Sequence, residues 1–352
     1  MRLEEICEIN MGQSPESSSY NENGEGMPFF QGNADFGELH PTVRIWCNAP
    51  TKIAECGDIL ISVRAPIGAL NIADKQCCIG RGLAALTVNE TLCSPKYLWY
   101  GLECKVDELN SKGTGSTFKA INKKTLAETE IPLPPLEEQH RIAALLDKVS
   151  DLIAKRRAQL DKLNLLVKAR FVEMFGDCYT NPHNLPIAKW NDIFNTTTGK
   201  LDSNAAVDNG EYPFFTCSKE ILKIDKYAFD QEALLLAGNN AAGKYDVKYY
   251  KGKFNAYQRT YVLSLKQNWS YALFRFQLED KLGYLEQQSL GGLTKYLTLK
   301  ILNELEFIIP EKPEQDRFAT FVKQIDKSKL AIQQSLDKLE TLKKALMQRY
   351  FG

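Results

Sequence analysis

The chain has 352 residues, of which 44% are hydrophobic and 25% charged, close to the mix of ordinary globular proteins and enough for two or three domains. No apolar run approaches the roughly 18 residues of a membrane span, and Met1-Arg2-Leu3-Glu4-Glu5 lacks the basic and then apolar character of a signal peptide, so a cytoplasmic protein is expected. The 44 basic residues balance 44 acidic ones, which excludes a protein that holds nucleic acid by bulk charge; any phosphate contact must be local or shared with a partner.

In chain order, the front reads as a mixed α/β domain of short strands. Gly57-Asp58 is a turn that opens a run of β-formers through Val63, and Leu83 to Val88 is a second such run. Gly, Pro and Asn punctuate the loops between them, and a helix is expected after Pro95, over 96–109. Next comes a glycine-rich, hydroxyl-rich, basic loop from Ser111 to Lys119, continued by Lys123 and Lys124. The stretch Ile131-Pro132-Leu133-Pro134-Pro135 excludes helix and stiffens the chain as an extended connector. A long helix is predicted straight after it, with Glu137 and Glu138 at the end where the macrodipole favours negative charge and Gly176 as its stop. The second half repeats the series: strands over 233–236 and 260–265, a helix over 273–285, a glycine loop over 289–295, a proline connector over 309–313 and a final long helix opened by Glu314.

The repetition is visible residue by residue. Positions 115–176 lie over 291–352 without a gap, 176 residues apart, and 20 of the 62 pairs are identical, among them Pro134/Pro310, Glu138/Glu314, Gln139/Gln315, Arg141/Arg317 and Phe175/Phe351. This period is too long for a solenoid, whose repeats run roughly 20–50 residues, so each copy should be a domain with its own core. Toward the front of each half only anchors align, such as Pro28-Phe29-Phe30 with Pro213-Phe214-Phe215 and Gly68 with Gly243. A shared back and a diverged front imply one scaffold carrying two recognition surfaces.

Each long helix carries a sustained heptad row: Leu146, Ile153, Leu160, Val167 and Met174 in the first, Phe318, Ile325, Ile332, Leu339 and Leu346 in the second. Five heptads at a step of seven mark a coiled coil, and a two-fold relation between the copies would pair the helices antiparallel, giving a pseudo-two-fold symmetric dumbbell. Cations interrupt the companion rows at Arg156, Arg170, Lys329 and Lys343, either fixing the register or snorkelling from the seam edge. The expected division is a first domain over 1–135, a helix over 136–176, a second domain over 177–313 and a helix over 314–352. A 39-residue helix spans about 58 Å, comparable with roughly 15–17 base pairs at about 3.4 Å each.

Nine cysteines divide seven to two between the halves, which argues against ligands of a repeated unit. No CxxC pair occurs and the three histidines show no metal spacing, so free, mostly buried thiols and no metal are expected.

The sequence Ile131-Pro132-Leu133-Pro134-Pro135-Leu136-Glu137-Glu138-Gln139-His140-Arg141-Ile142-Ala143 resembles the hinge and helix start of the DNA specificity subunits of type I restriction-modification systems. Gly113 to Lys119 with Ile121, and Gly57 to Ser62, resemble the family's turns, while Glu311 and Lys312 stand where its second hinge would carry Pro and Leu. The resemblance covers the whole chain in its order of parts. It implies two target recognition domains, each reading half of a split double-stranded DNA site, and helices that set the spacer and bind two modification (methyltransferase) subunits. S-adenosylmethionine, ATP and Mg would then be expected on the modification and restriction subunits, with no cofactor in this chain. The residues agree with a non-catalytic role: no P-loop or dinucleotide fingerprint occurs, and Asn181-Pro182-His183 reads as a turn rather than as an amino-methyltransferase motif.

For DNA contact the second half offers Lys244, Lys248, Lys251, Lys253 and Arg259 interleaved with aromatics, with Asn239, Asn240 and Gln258 able to bond adenine edges. The alternative for that stretch is an exposed hairpin packed on its aromatics. The first half offers Lys112, Thr114, Ser116 and Lys119 of the glycine loop, paralleled by Lys295, and beyond them Arg64, Gln31 and Asn33. A two-domain coiled-coil scaffold for other proteins, without DNA specificity, is the rival reading.

Overall fold

The computed structural model describes residues 1–115, 119–241 and 243–352, and the chain divides into two compact units, Met1–Arg157 with Gln334–Gly352, and Ala158–Gln333. Each unit therefore holds one strand-rich domain, the first turns of the long helix that follows that domain, and the last turns of the other long helix.

In the first unit an antiparallel four-stranded sheet runs Cys7–Met11, Leu83–Val88, Ile59–Ser62, Leu70–Ile72 in spatial order. Ile59 to Ser62 are all buried, because one face meets the helix Pro95–Cys104 and the other a second sheet of five short strands. That second sheet contains the parallel pair Phe29↔Cys78 and Phe30↔Ile79. The second unit keeps the same order but joins its strands into one six-stranded sheet: Phe194–Thr198, Thr260–Leu265, Phe229–Ala237, Val247–Ala256, Tyr212–Phe215, Leu222–Ile224. The joining element is the long hairpin of Phe229–Ala237 with Val247–Ala256, and the parallel pair recurs as Phe214↔Asn255 and Phe215↔Ala256.

Two predicted helices are each two. The helix expected over 96–109 is Pro95–Cys104 and Val106–Ser111, and that over 273–285 is Tyr271–Asp280 and Leu282–Gln288. At both breaks the turn tightens onto a carbonyl three residues back, Lys105 N–H to Leu102 O at 3.0 Å and Lys281 N–H to Leu278 O at 3.2 Å. Lys281 is buried, its ammonium 4.4 Å from the Tyr179 ring centre and 5.7 Å from that of Phe307. The turn expected at Asn181-Pro182-His183 is present: Asn181 has φ +43° and its side chain bonds both N–H and C=O of Leu185 at 2.9 Å.

The long helices span Leu136–Phe175 and Lys312–Phe351. Pro313, expected in the extended connector, lies inside the first turn of the second helix, where a missing N–H costs nothing. The helices run antiparallel in both units. In the first, Ile142, Ala143 and Leu146 share a core with Met347 and Phe351, while Arg157 meets Glu340 at 2.6 Å. In the second, the Phe171 and Phe175 rings lie 5.6 and 5.8 Å from that of Phe318. The ten residues of the heptad rows are buried or half-buried without exception, whereas Leu165 and Leu330, off those rows, are 66% and 62% exposed.

One repeated side chain fixes each helix to its domain. Gln139 is fully buried in the first helical turn; its Oε1 accepts from Ser94 N–H at 2.9 Å, and its Nε2 donates to Pro134 O at 2.8 Å and Leu92 O at 3.0 Å. Gln315 does the same 176 residues on, accepting from Ser270 N–H at 2.9 Å and donating to Pro310 O at 2.9 Å. Ser94 and Ser270 are the N-cap residues of Pro95–Cys104 and Tyr271–Asp280, so the amide satisfies an otherwise orphaned helix-cap donor in the interior. Glu138–Arg141 and Glu314–Arg317 flank the two glutamines as matching pairs at 2.5 and 2.9 Å. Replacing Gln139 or Gln315 by Ala strands a buried N–H and carbonyl, and is expected to destabilise the unit concerned by about 2–4 kcal/mol. Chemical denaturation of the two single variants checks this: a loss is expected in both, the larger for Gln139, which makes one bond more, and a loss under about 0.5 kcal/mol would show that water replaces the amide at no cost.

Candidate nucleic-acid interface

Six of the predicted DNA contacts lie on or beside Val247–Ala256, which the structure builds as a strand rather than a free basic loop. Half-buried and exposed residues alternate from Lys248 to Lys253, and neighbouring groups occupy all three of its cations. Lys248 bonds Asp246 and the Ser218 carbonyl, the latter at 2.8 Å; Lys251 meets Glu232 at 3.0 Å; Lys253 stands 4.7 Å from the Tyr227 ring centre. Tyr250 packs on Phe215 and Phe254 at 5.4 and 5.8 Å. Tyr249 donates to Glu232 at 2.7 Å, and burial together with that carboxylate pushes its phenol up to about 12. Lys244 and Arg259, at the two ends of the stretch, are exposed and have no carboxylate partner among the described residues.

A different group of predicted residues converges. Asn239-Asn240 forms a short strand paired antiparallel with Lys295-Tyr296, with Asn239 opposite Tyr296 and Asn240 opposite Lys295. The glycine loop itself is a hairpin closed by reciprocal bonds between Leu290 and Tyr296 at 3.0 and 2.9 Å. Gly291 turns it with φ +103°, and a Cβ there would lie 2.2 Å from the Thr294 carbonyl. Arg259 joins this edge through its backbone, its carbonyl accepting from Gly238 N–H at 2.8 Å. Gln258 turns instead toward Asp202, at 3.4 Å.

The first unit builds the same edge. Arg64 bridges Ala120, which pairs in turn with Thr114, and Ala65 N–H donates to Lys119 O at 3.0 Å. Gln31 flanks it on the other side: its carbonyl accepts from Gly82 N–H at 3.2 Å, and the Gly82 carbonyl accepts from Val63 N–H at 2.9 Å. Lys112 stands outside this edge, bonded to Glu108 at 2.6 Å and holding that carboxyl below its ordinary pKa. Asn33 also stands apart, in the 3₁₀ turn Asn33–Asp35 whose Asp35 is paired with Arg44. Ser116 lies outside the described residues.

Two of the four cations in the helix rows stand beside aromatic rings. Lys343 bonds Glu103 at 2.9 Å with its ammonium 5.6 Å from the Tyr100 ring centre, and Arg170 pairs with Glu173 at 2.8 Å and stands 5.9 Å from that of Phe321. Two features had no signal in the sequence. Arg157–Glu340 joins residues 183 apart, and the Asp147 carboxylate collects Tyr100 at 2.8 Å and Lys96 at 2.7 Å only in the first unit.

Burial raises the thiols of Cys7 and Cys77 to about 12 and that of Cys93 to about 11, and Cys56 alone of the nine cysteines is exposed. Among the described residues no three His, Cys, Asp or Glu side chains gather into a possible metal site, and no helix is long and apolar enough to cross a membrane.

The family model for the type I restriction modification DNA specificity domain matches residues 1–164 and again 184–343, one match per copy of the repeat. The chain belongs to that family. A Methanocaldococcus jannaschii protein provisionally named the MjaX specificity subunit of a type I restriction enzyme is 46% identical over 160 residues, 46% of this chain and 38% of that protein. The EcoDI specificity subunit of Escherichia coli is 33% identical over 163 residues, 44% of this chain and 35% of its own length. These matches thus span little more than a third of either relative. The MjaIX specificity subunit, also from M. jannaschii, aligns with 98% of this chain and 90% of its own length at 23% identity. Among solved structures, the type I restriction-modification S subunit of M. genitalium covers 100% of this chain and 95% of its own at a TM-score of 0.66 and 16% identity, so this specificity-family member shares its fold.

Proposed function

We propose that the chain is the DNA-reading subunit of a type I restriction-modification complex, each unit reading one half of a bipartite, asymmetric site on double-stranded DNA. The observation that carries this reading is the edge built twice, in which a glycine-loop lysine, Lys119 or Lys295, lies opposite a chain segment that differs between the units. Family membership and the names of the relatives support the same reading. A lysine held on a short backbone ladder suits a phosphate, and a polar side chain beside it suits a base edge. The zero net charge fits a reader whose affinity is completed by partners.

In this reading the long helices set the gap between half-sites and dock two modification subunits, which methylate adenine with S-adenosylmethionine. Restriction subunits add translocation and cleavage with ATP and Mg. This chain supplies the address and no chemical step.

Co-expressing the chain with its modification subunit and mapping N6-methyladenine across the host genome tests the reading. A split motif with two unlike halves and a fixed gap is expected. A stable, active complex that leaves no sequence-specific mark would replace the reading with a protein scaffold built on the paired helices. Deleting one heptad from the middle of both long helices shortens each by about 10 Å, so the gap is expected to contract by about three base pairs with both half-sites unchanged; an unaltered gap in the methylation map would remove the helices as the ruler.

A further inference from the structure

The ladder that carries Lys119 and Lys295 is the same in both units bond for bond. In the first, Ile121 N–H donates to Val63 O at 2.9 Å, Arg64 bridges Ala120, and Ala65 N–H donates to Lys119 O at 3.0 Å. In the second, Leu297 N–H donates to Gly238 O at 2.8 Å, Asn239 pairs with Tyr296, and Asn240 with Lys295. The outer chain keeps an offset of 176 residues, from Lys119 to Lys295, and the inner chain one of 175, from Arg64 to Asn239. Val63 N–H and Gly238 N–H also bond equivalent carbonyls, those of Gly82 and Arg259, at 2.9 and 2.8 Å. Arg64 and Asn239 therefore occupy one structural position. Opposite it stand Ala120 and Tyr296, and the next position of the outer chain is lysine both times, while the inner residue is not retained.

A group that holds phosphate can be the same in both copies, because phosphate carries no sequence; a group that reads a base must differ if the half-sites differ. Arg64 and Asn239 have the two side chains whose geometry matches different purines. The arginine fork bonds guanine O6 and N7 together, and the asparagine amide bonds adenine N6 and N7 together. Arg64 is exposed and has no carboxylate partner among the described residues, and the Asn239 side chain has no hydrogen-bond partner among them. The backbone under Arg64 is fixed, since the buried Ser62 hydroxyl lies 2.8 Å from the Arg64 carbonyl and 2.6 Å from that of Pro66.

We propose that Arg64 and Asn239 are the specificity-determining residues of their units at this shared position, Arg64 reading a guanine in one half-site and Asn239 an adenine in the other. This rests on the DNA-reading function proposed above. The two fail differently. If the wild-type complex marks no split motif the function itself falls, whereas this assignment is judged on how a motif already mapped changes.

The test maps N6-methyladenine for Arg64→Lys, Arg64→Gln and Asn239→Ala in the intact complex. Lysine keeps the charge and loses the fork. Arg64→Lys is expected to reduce discrimination at a single G·C pair of one half-site by on the order of 10- to 100-fold, with the other half-site and the gap untouched. Arg64→Gln should move that position toward A·T, and Asn239→Ala should relax one A·T pair of the opposite half-site. The assignment is overturned if Arg64→Lys leaves the motif unchanged while Arg64→Ala lowers the slope of log affinity against log salt by about one, because Arg64 is then a phosphate contact. A lowered thermal transition in the Arg64 variants would also overturn it, by showing that an exposed side chain acts on the fold instead.

Discussion

Two buried amides, Gln139 and Gln315, decide where everything else in this protein stands. Each is the residue through which a 40-residue helix is attached to the domain that precedes it. A helix that starts after a proline connector could leave its domain in many directions. A fully buried glutamine with its oxygen on a helix-cap N–H and its nitrogen on the connector carbonyl permits one. The cost of leaving any of those groups unpaired in the interior is what makes the direction specific. Because the same clamp occurs twice, the exit geometry of both domains is alike while their strands are free to diverge.

The divergence is considerable. One unit divides its strands between a four- and a five-stranded sheet and the other runs them through one six-stranded sheet, yet both keep the parallel Phe-Phe pair and the ladder at the glycine loop. What is held constant is therefore the helix clamp and the lysine ladder, while the sheets differ. Under the proposed function, that division lets either recognition surface change without disturbing the helices.

The long helices, their heptad rows and the doubled domain were legible in the sequence because they depend on local periodicity and on a repeat that aligns without gaps. The role of Gln139 was not, although its identity with Gln315 was, since a hydrogen bond to Ser94 spans 45 residues and leaves no local pattern. The partners in the basic stretch after Lys244 were hidden for the same reason: only the strand register reveals that Lys251 lies opposite Glu232. The helix breaks at Lys105 and Lys281 were also hidden, because neither is a proline or a glycine and each break comes from a tightened last turn. Conversely, the equivalence of Arg64 with Asn239 follows from an offset of 175 that the anchor Gly68/Gly243 already carried; only the ladder showed that the two residues lie opposite the equivalent positions Ala120 and Tyr296.

The most direct test of the central claim, that two interchangeable frames carry two different readings, is to make the frames carry the same one. Replacing residues 1–135 by a second copy of residues 177–311, with both long helices retained, places one domain at both positions. This chain, assembled with its modification subunit, is expected to mark a symmetric split motif in which one half-site of the native pattern appears twice across an unchanged gap. A folded, active complex that marks an asymmetric motif, or the native one, would contradict it.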